Sequence, residues 1–300
     1  MLGVILGLIS AAAFGANSII ARRGTLRAGS NYVATITIFS GPIFFFVLAG
    51  VAGELNKLGG YSWQAYAFMA LSGIAHFALG RTWGYRSIEL IGSTRSTVVT
   101  GLSPIVTTVL AAIVLSESIT FLMLIGILCT LAAPLFILRE QIAATHFQAK
   151  TPDRKTLYRG VFYGLGAAVF WGSSPIFVKL GFERGGTPVA GSLIAYLSAL
   201  IAISPSAFLN RENREDLLSG DKESLKLALL SGLSINVAQL LRYVALAFAS
   251  AIVVSLMMRT SPFWVLCFAF VFNRKDESFS RWVLLGNGLL IAGTVLILMS

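Results

Sequence analysis

The sequence is poor in charge and poorest in acid. Asp and Glu number 13 in 300 residues against 23 Lys and Arg, and charged residues make up 12% of the whole. A water-soluble domain carries roughly 25% charged and about 45–50% apolar residues, whereas this chain is 56% apolar. A soluble domain is thereby excluded. No Asp or Glu falls deep inside an apolar run: Glu54, Glu89, Glu117, Glu183 and Glu277 all stand at run edges. That disfavours a carrier coupled to protons through a buried carboxylate, or a cation site built from one.

Other shortages narrow the class. Cys129 and Cys267 both lie within apolar runs, where they read as small apolar residues with neither disulfide nor metal spacing. The sequence contains no His/Asp cluster and no nucleophile elbow, so no enzymatic activity, metal or cofactor is expected. The first apolar run lacks a basic leader, Arg22 and Arg23 following it instead, which argues against a cleaved signal. Segments of about ten alternating residues, the mark of a membrane barrel, are missing as well. A backbone that crosses lipid must satisfy its own hydrogen bonds, which leaves helices.

What the sequence does have is length of apolar run. Stretches able to cross a bilayer, about 17–25 residues each, are read at 2–21, 32–52, 64–84, 94–116, 119–138, 160–178, 189–209, 225–247, 250–272 and 282–299. The expected fold is an all-α polytopic membrane protein of ten transmembrane helices, five in each half. Little polar punctuation separates the third run from the fourth, or the eighth from the ninth, so short connections are expected there.

The two halves repeat each other. At a shift of about 157 positions, Gly7 falls on Gly164, Phe14-Gly15 on Trp171-Gly172, Arg22 on Lys179 and Gly24 on Gly181. Ser103-Pro104 matches Ser261-Pro262, and the run from Glu117 to Gly126 matches that from Glu277 to Gly286. Duplicated sets of apolar helices mark transporters, in which two related halves rock about a site held between them.

Charge orients the repeats. If the connections alternate sides, one side collects seventeen Lys and Arg and the other only Lys57, Lys179 and Arg184. Basic loops stay in the cytoplasm, so both termini are expected outside and the 139–159 linker, with His146 in it, inside. The basic connections follow runs one and three in the first half, and runs seven and nine in the second. A bias that flips in this way is the footprint of inverted repeats, 1–138 and 160–300, around a central cavity. The net charge of +10 then belongs to cytoplasmic loops and calls for no nucleic acid. The expected partners are the lipid bilayer and a small molecule, and the pattern is compatible with a monomer or a homodimer.

Two five-run repeats, an aromatic-Gly pair opening each, a Pro in the fourth run and a Glu just before the fifth resemble the EamA-type members of the drug/metabolite transporter superfamily. The resemblance spans the chain. It implies an inverted-repeat carrier of the cell membrane with a central cavity for small metabolites, often an exporter. One departure is the spacing from Pro262 to Glu277, two residues longer than that from Pro104 to Glu117.

Ionisable residues at membrane depth are costly and mark pathways. Arg259, near mid-run and three residues before Pro262, is the leading substrate-binding candidate. Its neighbouring proline frees a carbonyl around position 258, and the alternative role is packing against carbonyls between the halves. Arg81 and Tyr85 are four apart and share a helical face; their repeat mates are Gln239 and Tyr243. His76 and Asn236 lie one to two turns deeper on the same runs, and Asn17 and Trp171 occupy the opening runs of the halves. Arg81 and Arg242 stand near run ends, where snorkelling to headgroups is the competing role. A guanidinium-lined cavity favours anionic or zwitterionic substrates, such as amino acids or carboxylated and phosphorylated metabolites, carried by alternating access. A lipid flippase or scramblase using edge arginines is the alternative.

Overall fold

The computed structural model describes residues 1–28, 30–145, 153–209, 220–272 and 281–299. His146 and Glu277 lie outside the described residues. Among those described, the regular elements are helical: α1 (Leu2–Ala28), α2 (Ser30–Val51), α3 (Trp63–Gly73), α4 (Arg81–Thr100), α5 (Ser103–Val114) and α6 (Phe121–Thr145) come first. Then follow α7 (Arg154–Glu183), α8 (Pro188–Leu209), α9 (Lys222–Phe248), α10 (Ala251–Met258), α11 (Ser261–Phe272) and α12 (Arg281–Leu298). A 3₁₀ turn at Leu55–Gly60 precedes α3, and a π-helical stretch, Ile74–Gly80, carries α3 into α4.

Among the described residues, seven helical stretches are long and apolar enough to cross a membrane: Leu2–Ala28, Tyr32–Val51, Arg95–Val114, Arg154–Glu183, Pro188–Pro205, Lys222–Phe248 and Ala251–Phe268. Phe121–Ala133 and Leu284–Ile297 are apolar but shorter. The run read at 64–84 falls on α3, the π stretch and the start of α4, where the helix changes pitch partway. Ile43, Ile113, Phe121 and Ile201 point outward with 70–79% of their surface exposed. In water such a surface would drive association; a bilayer removes the problem.

Two kinds of break set the geometry of the centre. Gly92 adopts φ 82° inside α4, a left-handed conformation that costs a glycine least. It lies at the poorly punctuated junction of the third and fourth runs. The second kind occurs twice. One helix stops at Thr100 and the next starts at Ser103-Pro104; one stops at Met258 and the next starts at Ser261-Pro262. In an unbroken helix each N–H bonds the carbonyl four residues back. Pro104 and Pro262 have no N–H, so the carbonyls of Thr100 and Met258 lose that donor.

Helices of the two halves interleave. α1 lies along α9 and touches α10 and α11, while α7 packs on α3, α4 and α5. Between these groups, α2 contacts α9 and α8, and α8 contacts α3; α6 pairs with α12. Small residues allow the approach, as they do between helices in lipid. A methyl group at Gly73 would strike the Ala195 carbonyl oxygen, and one at Gly41 the Tyr196 ring. That ring is held between Phe45 and Phe77, centroids 5.2 and 4.2 Å away. At one end of the bundle Arg27 grips Asp221 at 2.5 Å. The guanidinium, together with the Ser224 hydroxyl and backbone N–H, holds the Asp221 carboxyl well below the ordinary carboxylate range.

Candidate functional site

The π stretch is where the site begins. An α-helix that widens locally shifts the positions of its carbonyls and side chains, which is why such turns recur at functional sites. Here the His76 carbonyl accepts a hydrogen bond from Trp171 Nε1 at 3.0 Å. The Trp171 ring, carried by α7, lies across Gly80 and Gly84, where a methyl group would come within 2.6 and 2.8 Å of it. The indole thus fixes α7 against the turn and forms part of a wall.

On the facing side α9 contributes Gln239 and Arg242, three residues apart and so on neighbouring positions of one face. Arg242 Nη1 donates to Gln239 Oε1 at 3.0 Å, and Nη2 to Ser174 Oγ of α7 at 3.2 Å. The His76 ring nitrogens approach Arg242 Nη1 at 3.4 Å, and His76 Nε2 lies 3.2 Å from Gln239 Nε2. Arg242 is only 4% exposed. It does not snorkel; it belongs to the interior.

Arg259 occupies the break between α10 and α11. Its Nη2 donates to the Thr100 carbonyl at 3.3 Å and to the Ser103 hydroxyl. Thr100 is the residue whose carbonyl Pro104 cannot satisfy. The arginine of one half therefore fills a bond that the proline of the other half leaves open.

These groups meet around a cavity of about 370 Å³. Arg81, Arg242, Arg259, His76, Gln239 and Trp171 all line it, with Ser103, Ser255 and Ser261 as further hydrogen-bonding groups. Phe14, Pro175, Ile235 and Met258 give it an apolar side. Among the described residues no Asp or Glu lines it. Arg81 Nη1 is buried there without a hydrogen-bond partner.

Of the residues singled out from sequence, Arg259, Arg81, His76, Gln239 and Trp171 share this cavity. The other four lie elsewhere. Tyr243 is fully buried and its hydroxyl pairs with Ser72 Oγ at 2.9 Å. Asn236 donates to Ser40 Oγ at 3.1 Å, and Asn17 accepts from Ser231 Oγ at 2.9 Å, each joining α9 to a helix of the first half. Tyr85 is 44% exposed and borders a separate hollow with Trp83, Arg86, Glu89 and Tyr163. Ser103, Ser255 and Ser261 were not singled out as lining groups, since a hydroxyl in an apolar run gives no sign of its direction. Arg242 had a signal, its place three residues after Gln239. With Arg242 buried rather than at a membrane edge, the lipid-translocating alternative loses the feature that motivated it.

Among the solved structures that match is one, described only as the crystal structure of a protein, that superposes with a TM-score of 0.78. It is 13% identical, over 99% of this chain and 96% of that one, a likeness of fold alone. No curated protein matches the sequence. A family model, that of the EamA-like transporter family, matches residues 1–139 and again 158–299. Nearly the whole chain is covered, once per half, so the protein belongs to the EamA-like transporter family and is a multi-pass membrane transporter.

Proposed function

We propose that the protein carries small anionic or zwitterionic organic metabolites across the cell membrane by alternating access, with the central cavity as its binding site. The observation that carries this reading is three guanidiniums around one cavity and, among the described residues, no carboxylate in its lining. A guanidinium presents a planar fork of donors that matches carboxylate and phosphate, and charges at this depth are seldom kept without a function. The apolar side of the cavity suits a carbon skeleton. In this reading the chain is two inverted five-helix repeats, 1–138 and 160–300, with ten spans in all. The break before Ser-Pro at equivalent places in both halves supports that symmetry.

The test is counterflow in liposomes. Vesicles preloaded with an unlabelled candidate acid should accumulate the labelled form transiently, and vesicles without protein should not. Fluorescent phospholipids in the same vesicles should stay in their leaflets. Movement of lipid with no movement of any organic anion would reverse the assignment.

Orientation follows from the seventeen-to-three division of basic residues. A reporter fused after Met299 should behave as periplasmic or extracellular, and one inserted within 146–152 as cytoplasmic. A cytoplasmic C-terminus in the intact protein would show the charge bias to be misleading here.

A further inference from the structure

Resting on the reading of this cavity as the substrate site, we propose a narrower class of substrate: a small organic anion with two negative charges and no ammonium group, anchored by Arg81. The first argument is charge balance. Arg81, Arg242 and Arg259 share one cavity, and among the described residues no Asp or Glu lines it. Inside protein and lipid such charges are screened far less than in water. A singly charged ligand would leave most of that repulsion in place, whereas a dicarboxylate or a phosphate monoester relieves more of it.

The second argument concerns acceptors. An ammonium group brings three donors and no acceptor, so it needs oxygens with free lone pairs. Three of the oxygens around this cavity already accept a bond from the protein's own donors. The His76 carbonyl takes the Trp171 indole N–H. Gln239 Oε1 takes Arg242, and the Thr100 carbonyl takes Arg259. At those oxygens an ammonium would compete with guanidinium and indole donors, and anywhere in the cavity it would face three like charges. What the site lacks is the opposite kind of group, since Arg81 Nη1 is a buried donor with nothing to donate to. Arg242 and Arg259 are tied into the framework, which leaves Arg81 as the arginine most open to a ligand.

Size and surface complete the description. A cavity of about 370 Å³ holds the volume of roughly a dozen waters at about 30 Å³ each, so the ligand has on the order of a dozen non-hydrogen atoms. Phe14, Ile235 and Met258 would face its carbon skeleton, which a bare inorganic anion does not have.

Succinate, aspartate and butyrate separate the elements of the proposal, because aspartate adds an ammonium to the succinate skeleton and butyrate removes one carboxylate. Binding is measured calorimetrically on the purified full chain, with thermal unfolding recorded on the same samples. Succinate should bind about tenfold or more tightly than either of the others. Arg81→Gln should weaken succinate about thirtyfold, the low end of the loss when one partner of a buried charge pair is truncated. Arg81→Lys should recover part of it. Aspartate binding as well as succinate would overturn the exclusion of ammonium while leaving an anion site in place. Butyrate equal to succinate would overturn the two-charge requirement. Undiminished succinate affinity in a cooperatively melting Arg81→Gln protein would remove Arg81 as the anchor. Failure of all three acids to bind well-folded protein would overturn both this proposal and the anionic reading beneath it. The three affinities of the unaltered chain decide the substrate class even where a variant does not fold.

Discussion

Arg259→Ala should abolish transport in reconstituted vesicles and lower the melting temperature at the same time. Both effects come from one guanidinium that faces the cavity while donating to the Thr100 carbonyl and the Ser103 hydroxyl. Removing it leaves the carbonyl that Pro104 already deprives of a partner with no donor at all. An orphaned buried acceptor costs about 1–3 kcal/mol, and loss of a buried charge from a substrate anion costs about 2–5 kcal/mol in affinity. Arg259→Lys should divide the two effects. An ammonium has no fork with which to reach the protein partners and a ligand together, so stability should return more fully than transport. Counterflow and thermal unfolding on the same purified variants provide the comparison. Stability lost with substrate affinity intact would make Arg259 a brace between α4 and α11 and nothing more. Affinity lost with an unchanged melt would mean that the Thr100 bond carries no weight.

That double role shows where sequence reasoning reached and where it stopped. Helical class, the repeat and the membrane setting were legible because they are written in long-range composition: apolar runs, a shift of about 157 positions, a lopsided distribution of Lys and Arg. The family model matches once in each half, at 1–139 and 158–299. Pro262 gave away a break near position 258, which α10 marks by ending at Met258. What the sequence did not reveal is that the partner of Arg259 would be the matching break in the other half. No periodicity within one helix encodes which helix lies opposite. Tyr85 illustrates a second limit. It shares a face with Arg81, yet Trp171 lies across Gly80 and Gly84, and beyond that wall the face belongs to another hollow. The π stretch at Ile74–Gly80 is a third limit. Its sequence, IAHFALG, carries no proline, and its one polar residue, His76, does not announce a change of pitch. Arg242 reads as interior or edge because the run at 225–247 ends five residues beyond it, and proximity to a run end says nothing of which neighbour covers it.

The second large effect is expected at the opposite ends of the same helices, from the acids that stand at run edges. Glu54 follows α2 and accepts bonds from the Val189 and Ala190 amides at 3.0 and 2.8 Å and from the Thr187 hydroxyl. Glu117 follows α5 and accepts from the Ala251 and Ile252 amides at 2.6 and 3.0 Å. Each first-half carboxylate therefore caps a second-half helix, α8 or α10, at the N-terminus, where unpaired N–H groups and the helix dipole favour negative charge. Ser62 donates to the Arg184 carbonyl on the same face, so the bonds of Glu54, Glu117 and Ser62 hold the halves together there, while Lys179 ties α7 to the Ala249 carbonyl within the second half. Under the alternating-access reading proposed above, the bonds between the halves break in each cycle. A charge-assisted bond contributes about 1.5–3 kcal/mol, enough for the two carboxylates to set which state the free protein prefers. In a background without Cys129 and Cys267, Ala190→Cys places a thiol at a position that is fully buried. Its reaction with a membrane-impermeant maleimide should be slow. Adding Glu54→Ala and Glu117→Ala should speed it about tenfold or more, since a shift of about 1.4 kcal/mol in the opening equilibrium suffices for that factor. Glu54→Gln and Glu117→Gln should fall between, because a neutral amide oxygen accepts more weakly than a carboxylate. A lower melting temperature with no change in labelling rate would identify the two acids as helix caps with no part in opening this face.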